Sequence, residues 1–347
     1  MNPLNFYKYI PFIFRKRFKK KYIVIESDDW GMDLSISIDG IDYMKKKYGI
    51  ENFTRWTTDS LETIEDISLL FDLLSRYKDR FSSPPVITAN FVTHNIDYNN
   101  SDSLSFIPLT AHLEEKSEII AKYRKGINNK IFYPQLHGYC HYDTAKLIDF
   151  FSSDEGKELF NIGFLSGKST IRGNLDQLRS EFSKNNGDVE NKLKLAIGEF
   201  YNLFNFYPKS IIPSHFILDR KYFEILVNNG IKAIQASNRL INSSGMRYKK
   251  IYFREQNGFI WIPRNARLDP HPDYNYYSDH CISAITNAFA NNIPAVIDFH
   301  RVNIAGRYNK NYRDKSLEEL KKVLSYISKH WPDVKFITSE ELLKICK

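Results

Sequence analysis

Cysteine is scarce: 347 residues hold three, Cys140, Cys281 and Cys346, an odd number with no C-x-x-C pairing. That excludes a disulfide framework and a Cys-rich structural zinc site, and it favours a reducing compartment. Long apolar runs are missing as well, with no stretch of 18 or more apolar residues, so no membrane-spanning helix is expected. The first thirty residues lack the order of a secretory signal, because aromatics ("NFYKYIPFIF") come first and the positive cluster ("RKRFKKK") follows. The expectation is a cytoplasmic protein. Internal repeats, low-complexity linkers and charge breaks are also absent. The simplest division is therefore one domain, residues 22–347, behind a basic aromatic segment, residues 1–21.

What is present is material for a large core: 42% of residues are hydrophobic and 15% aromatic. The net charge of +8 is concentrated at one end. Seven of the 49 Lys and Arg lie within residues 1–21, with no acid among them, which leaves 42 against 41 acidic residues in the rest. A near-neutral body without a recognised nucleic-acid motif speaks against nucleic acid as a partner. The basic run stands beside Phe6, Tyr7, Tyr9, Phe12, Phe14 and Phe18. Such a segment could rest on an anionic membrane surface, or be a solvated, fraying terminus.

Short apolar and β-branched runs recur at 22–26, 85–92, 131–137, 210–215, 232–236, 258–264, 294–300 and 334–338, each of a length suited to a buried strand. Segments with helical spacing lie between many of them, at 37–49, 63–81, 190–204, 219–230 and 316–331; two end in a glycine suited to a left-handed C-cap. Strands alternating with helices predict an α/β fold with a mostly parallel sheet. About seven or eight strands permit closure into a distorted (β/α) barrel. Residues 94–130 fit no βα unit and are expected to form a long insertion or loop, and 238–258 is similarly irregular.

In such folds reactive groups gather at the C-terminal ends of strands. Here the runs end in "SDDWG", "VTHN", "LHGYCH", "PSH", "PRN" and "FHRVN". His137 and His141, four apart in "HGYCH", lie on one face if the segment is a helical turn, so both imidazoles can reach one metal. The spacing is that of H-E-x-x-H, but Gly138 stands where the glutamate base would be, so a base must come from elsewhere. Two imidazoles commonly take a carboxylate as third ligand and leave a place for water, whose proton a second carboxylate can accept. The adjacent Asp28 and Asp29 can divide those roles, since successive side chains on a strand diverge. The alternative for "SDD" is a turn or N-cap.

In these residues the chain resembles the polysaccharide deacetylase family, the carbohydrate esterase group with the chitooligosaccharide-deacetylase homology domain, over roughly residues 22–340. The resemblance implies that "ESDDWG" supplies Asp28 as catalytic base and Asp29 as metal ligand, with Trp30 inserted before Gly31. It implies His137 and His141 as the metal histidines, with Gly138 replacing the family's Ser or Thr, and His300 in "AVIDFHRVN" as general acid. The family's Arg-x-Pro motif lacks its arginine, because "SIIPSH" keeps Pro213 but has Ile211 at the arginine's place. Arg264 in "WIPRNARLDP" is the candidate replacement, orienting Asp28 or gripping substrate. Trp30, His94, Arg264, Asn265 and Asn303 are the candidate substrate contacts, and Trp30, Trp261 and Tyr139 offer aromatic faces to a sugar ring. His94 and His215, each alone at a strand end, suit a structural or substrate-contacting role better than ligation.

The activity implied is that of a metal-dependent hydrolase, a carbohydrate N-deacetylase acting on an acetamido sugar. Zinc suits the Asp-His-His set, with cobalt, nickel or manganese as alternatives. A cytoplasmic location, peripheral at the inner membrane face through residues 1–21, would suit a nucleotide- or lipid-linked precursor in surface polysaccharide biosynthesis. Two alternatives stand. One is a glycoside hydrolase on a related barrel, for which a distant carboxylate such as Asp269 would have to join the aspartates; the other is a non-catalytic carbohydrate-binding relative.

Overall fold

The computed structural model describes residues 15–34, 37–48, 55–99, 104–113, 117–163, 181–183, 188–236, 240–272 and 274–347. In chain order the strands are β1 (Tyr22–Trp30), β2 (Ile87–Val92), β3 (His94–Ile96), β4 (Phe106–Pro108), β5 (Phe132–Gly138), β6 (Ser210–Ile211), β7 (Ala233–Ala236), β8 (Glu255–Gln256), β9 (Phe259–Pro263), β10 (Ala266–Arg267), β11 (Ala295–His300) and β12 (Lys335–Phe336). One sheet runs in the order β10-β11-β1-β2-β5-β6-β7-β9-β8, with β12 beside the start of β1. All its pairings are parallel except that of β8 with β9. The sheet curls into a distorted (β/α) barrel, as the alternation of runs predicts. It stays open at a seam between β9 and β10, which follow each other in the chain but do not pair.

Parallel strands are covered on both faces, and Ile23, Val24 and Ile25 of β1 are all buried accordingly. Towards the strand ends the inward face turns polar at a period of two: Glu26 and Asp28, Thr88 and Asn90, Gln135 and His137, Asp298 and His300. The barrel interior is therefore a hydrogen-bonded network above an apolar lower layer. From Gln135 the contacts pass to the Ser210 hydroxyl (3.0 Å), to Gln235 (2.9 Å), to Asn90 (2.7 Å) and on to Asp28 (2.8 Å).

Helices α1 (Ile64–Ser75), α2 (Ser117–Asn128), α3 (Val189–Phe204), α4 (Ser278–Ala290), α5 (Lys310–His330) and α6 (Ser339–Cys346) are among those that cover the sheet or close its base. Thr63 with Asp66, and Thr338 with Glu341, form capping boxes that start α1 and α6. The α6 cap brings Ser339 to the barrel base, where its hydroxyl donates to Glu26 at 2.7 Å.

Residues 94–130 differ from the expected loop. They hold the β3–β4 hairpin, a short helix Leu109–His112 and then α2, which bridges β2 and β5 as an ordinary crossover. The α2 face rests on Ile119, Tyr123 and Gly126, a helical spacing with one aliphatic among three, which is why it reads weakly. Gly126 is there for space: a Cβ would lie 2.4 Å from the Phe71 ring.

Most of the aromatic half of the N-terminal segment, residues 1–14, lies outside the described residues. Residues 15–21 lie against the barrel. Phe18 is buried and its N–H donates to the Asn292 carbonyl at 2.8 Å, while the Lys16 ammonium bonds the carbonyls of Ile345 and Cys346 at the end of α6. A cation at a helix C-terminus satisfies carbonyls left over by the helix.

Candidate metal centre

The two aspartates at the end of β1 face the same interior, which corrects the expectation that alternation separates them. The register of β1 against β2 slips between Ser27 and Trp30, and Asp29 takes a left-handed φ of 68°. That bulge turns Asp29 inward beside Asp28 and sends Trp30 to the other face. The bulge is held from below by fully buried Arg301, whose Nε donates to the Asp29 carbonyl at 2.7 Å and whose charge faces Asp59 at 2.9 Å and Glu62 at 3.4 Å.

Asp29 Oδ1 lies 3.2 Å from His137 Nε2 and 3.5 Å from His141 Nε2, and the three donor atoms are mutually within 4.8 Å. Tetrahedral bonds of about 2.0–2.1 Å place neighbouring ligand atoms about 3.4 Å apart, so these residues fit a divalent ion such as zinc. His137 Nδ1 lies 2.8 Å from the Ile212 carbonyl, which holds the proton on that nitrogen and would leave Nε2 to face a metal. Burial alone would raise the Asp29 carboxyl, but the His137 hydrogen bond and the charges of His141 and His137 outweigh it and hold it well below the usual range. For His137 burial works downward, and its bond to Asp29 with the Asp28 and Asp29 charges leaves it raised.

Asp28 stands beside this group and receives Arg264 through both terminal nitrogens, at 2.5 and 2.6 Å. The same guanidinium bonds Glu26 at 2.8 Å and Asp298 at 2.7 Å. Burial pushes Asp28 up, but Arg264 outweighs it and leaves the carboxyl lowered. Arg264 therefore orients Asp28 from the barrel seam and is itself almost wholly enclosed. Asp28, Asp298 and His300 also converge, but Arg264 already supplies the cation there.

His300, at the end of β11, turns Nε2 towards Asp28 Oδ2 at 4.0 Å and Nδ1 towards Asp269 Oδ1 at 3.3 Å. Trp56 meets the His300 ring edge-on at 5.4 Å, and its Nε1 donates to the Tyr274 hydroxyl at 3.3 Å. No strand-end or periodic cue in the sequence singles out Trp56.

Several expected substrate contacts are built into the scaffold instead. Trp30 is fully buried between Phe91, Tyr123 and Phe132, with its Nε1 on the Ser27 hydroxyl at 2.9 Å; the bulge that frees Asp29 is what turns it into the core. Trp261 is likewise buried, against Phe223 and Phe259. The Asn265 side chain bonds the Pro294 carbonyl and the Val296 N–H, low on β11 and away from the strand ends. Asn303 is buried; it donates to Asp269 at 3.0 Å and accepts from the Tyr312 hydroxyl at 2.6 Å, so it acts behind His300. His94 stacks on Tyr139 at 4.0 Å, and burial pushes its imidazole down to about 4. His215 lies beside the candidate ligand His141, ring centres 5.4 Å apart.

Glu26, Asn90, Gln235, Asp298 and Glu181 are site-supporting residues that sequence reading missed. For Glu26, Asn90 and Asp298 a signal exists, a polar residue inside an apolar run at even spacing from the residue at its end. Glu181 carries no such signal.

No family model and no curated protein matches the chain. Among solved structures it matches a 4-α-glucanotransferase from Thermococcus litoralis over 94% of its own length at 10% identity and a TM-score of 0.52, spanning 40% of that chain. A family 4 acetyl xylan esterase from Clostridium thermocellum, solved with a cobalt ion, matches over 94% of this chain and 91% of its own at 10% identity and a TM-score of 0.43. A CE4 family pseudoenzyme from Bacillus anthracis matches over 94% of this chain and 66% of its own at 8% identity and a TM-score of 0.41. At 10% identity the likeness to the glucanotransferase is one of fold alone.

Proposed function

We propose that the protein is a divergent metal-dependent N-deacetylase that hydrolyses the acetamide of an acetamido sugar. The observation that carries this reading is the convergence of the Asp29, His137 and His141 donor atoms beside an Asp28 carboxylate that is not part of the ligand set. A divalent ion held by those three residues, zinc by preference, would supply Lewis acidity to the acyl carbonyl and its water. Asp28, kept ionised by Arg264, accepts the proton of the attacking water. His300, backed by the Asp269 carboxylate at its Nδ1, protonates the leaving amine from Nε2.

A glycoside hydrolase would need a second carboxylate across the substrate from the aspartates. Asp269 does not serve, because it is fully buried and committed to His300, Arg267 and Asn303.

The substrate class we favour is a nucleotide-linked sugar or an oligosaccharide used in surface polysaccharide synthesis, in the cytoplasm. Residues 15–21 join the barrel at the base, and seven strand residues of about 3.3 Å each put Tyr22 about 23 Å from Asp29. A basic terminus resting on an anionic surface would leave the site facing away from it. That geometry speaks for a substrate free of the bilayer over a lipid-linked one.

The test is elemental analysis of wild type and His137→Ala after zinc loading, followed by acetate release from acetamido sugars with Asp28→Asn as control. About one equivalent in wild type, little in the variant, and release lost in Asp28→Asn are expected. Absence of retained metal in wild type would sink the reading.

A further inference from the structure

The segment carrying both candidate metal histidines curls around a buried carboxylate from elsewhere in the chain. Glu181 is almost wholly enclosed and accepts the N–H of Tyr139 at 2.6 Å, of Cys140 at 3.2 Å and of His141 at 2.7 Å. Three successive N–H groups converging on one carboxylate form an anion-binding concavity of the kind that backbone turns make for phosphates, here filled by the protein itself. The conformation it serves is one the backbone does not favour. His141 has a φ of 73°, in the left-handed region that a residue with a Cβ seldom visits.

Gly138 makes the arrangement specific. It has a φ of 137°, and a Cβ on it would stand 2.7 Å from both Glu181 oxygens. A serine or threonine at this place, as in the family the sequence resembles, would collide with the carboxylate. The loss of that hydroxyl and the presence of Glu181 are two sides of one solution.

We propose that Glu181 is a positioning residue for metal binding: it fixes the turn from Gly138 to His141 so that the His141 imidazole meets Asp29 and His137. This rests on the reading of those three residues as a metal site. Partners that orient ligands typically change metal affinity about 10–100-fold when removed. Glu181 acts one bond network further back, through the peptide backbone of the ligand itself.

The test uses the full chain and two probes, zinc and cobalt(II) alone. Dissociation constants come from chelator competition and ligand geometry from the cobalt d–d absorption band. Glu181→Ala is expected to weaken both metals by about tenfold or more and to alter the band. Glu181→Gln, which keeps one acceptor oxygen and the volume, is expected to fall between and serves if the alanine variant does not fold. A core variant far from the site, Leu324→Ala, controls for lost stability and should leave affinity and band unchanged.

A double-mutant cycle with Gly138→Ala supplies the specific readout. The strain of an alanine at φ 137° is present in both backgrounds and cancels, so its cost to affinity should shrink once the carboxylate is gone. Wild-type affinity and an unaltered band in both Glu181 variants, or additive effects in the cycle, would overturn the proposal. If wild type itself binds neither metal, the metal-site reading fails, a result distinct from failure of the Glu181 role.

Discussion

Arg264 grips Asp28 with two parallel hydrogen bonds, 2.5 and 2.6 Å long, across the open seam of the barrel. The two residues come from the ends of β9 and β1, which do not pair with each other. A fork of this kind fixes a carboxylate in orientation as well as in charge. It also leaves Asp28 outside the candidate ligand set of Asp29, His137 and His141.

Replacing Arg264 by methionine should therefore shift the acid limb of the pH–rate profile. The guanidinium lowers the Asp28 carboxyl against the pull of burial, so its loss lets burial raise that carboxyl. The base is then protonated at a higher pH, and the acid limb moves up. Rates at neutral pH should drop by about 100-fold, since a buried acidic cluster loses its counter-charge. Arg264→Lys keeps the charge without the fork and should hold the limb nearer its place while lowering kcat. An acid limb that stays put in Arg264→Met would show that Asp28 is not the titrating base.

Trp30→Ala should cost stability and leave metal affinity close to wild type in the protein that remains folded. The ring is fully buried against Phe132 at 4.9 Å and Phe91 at 6.2 Å, and emptying such a site typically costs about 3–5 kcal/mol. Denaturant midpoints with and without metal would measure it. A variant of wild-type stability with a raised KM for an acetamido sugar would instead restore Trp30 to the substrate surface.

The contrast between Trp30 and Asp29 shows where reading the sequence stops. Positions 22–26 announce a buried strand, and the polar residues after them announce a site at its end, so β1 and its aspartates were legible. The bulge was not. A slip of one residue decides which of Asp28, Asp29 and Trp30 face inward, and it depends on Arg301 and Glu62, far away in sequence. The same holds for α2, whose helical face contains a glycine needed to pass Phe71, and for Glu181, whose partners are backbone groups of a distant turn. Local periodicity reports which residues are buried, and only the assembled barrel reports against what.

Glu26 should make the protein less stable as pH rises through the neutral range. Burial raises its carboxyl from an ordinary 4.5 to about 7, with Arg264 and Ser339 pulling the other way. Between those two values the folded protein keeps a proton that the unfolded chain has released, so unfolding free energy falls with increasing pH in that window. The contribution is complete below the unfolded value and gone above the folded one. Glu26→Gln removes the titration, and its urea midpoint relative to wild type should rise from pH 5 to pH 8 in one fixed metal state. A difference that does not change with pH would mean that Glu26 is ionised throughout, held by Arg264.

Asp269 gives the sharpest separation between a working His300 and one that merely fills the rim. Its carboxylate is fully buried and sits 3.3 Å from His300 Nδ1, with Asn303 and Arg267 fixing it from behind. An anion at Nδ1 favours the imidazolium, the form a general acid needs. Asp269→Asn keeps the shape but withdraws the charge, so His300 should lose the anion that orients it at Nδ1 and balances its charge when it carries a proton. kcat should fall by about 100-fold while bound metal stays near one equivalent. A substrate with a better leaving group needs less protonation and should recover much of the loss in both Asp269→Asn and His300→Ala. If the loss is the same for good and poor leaving groups, His300 is not the proton donor, and its contact with Asp269 is part of the barrel rim alone.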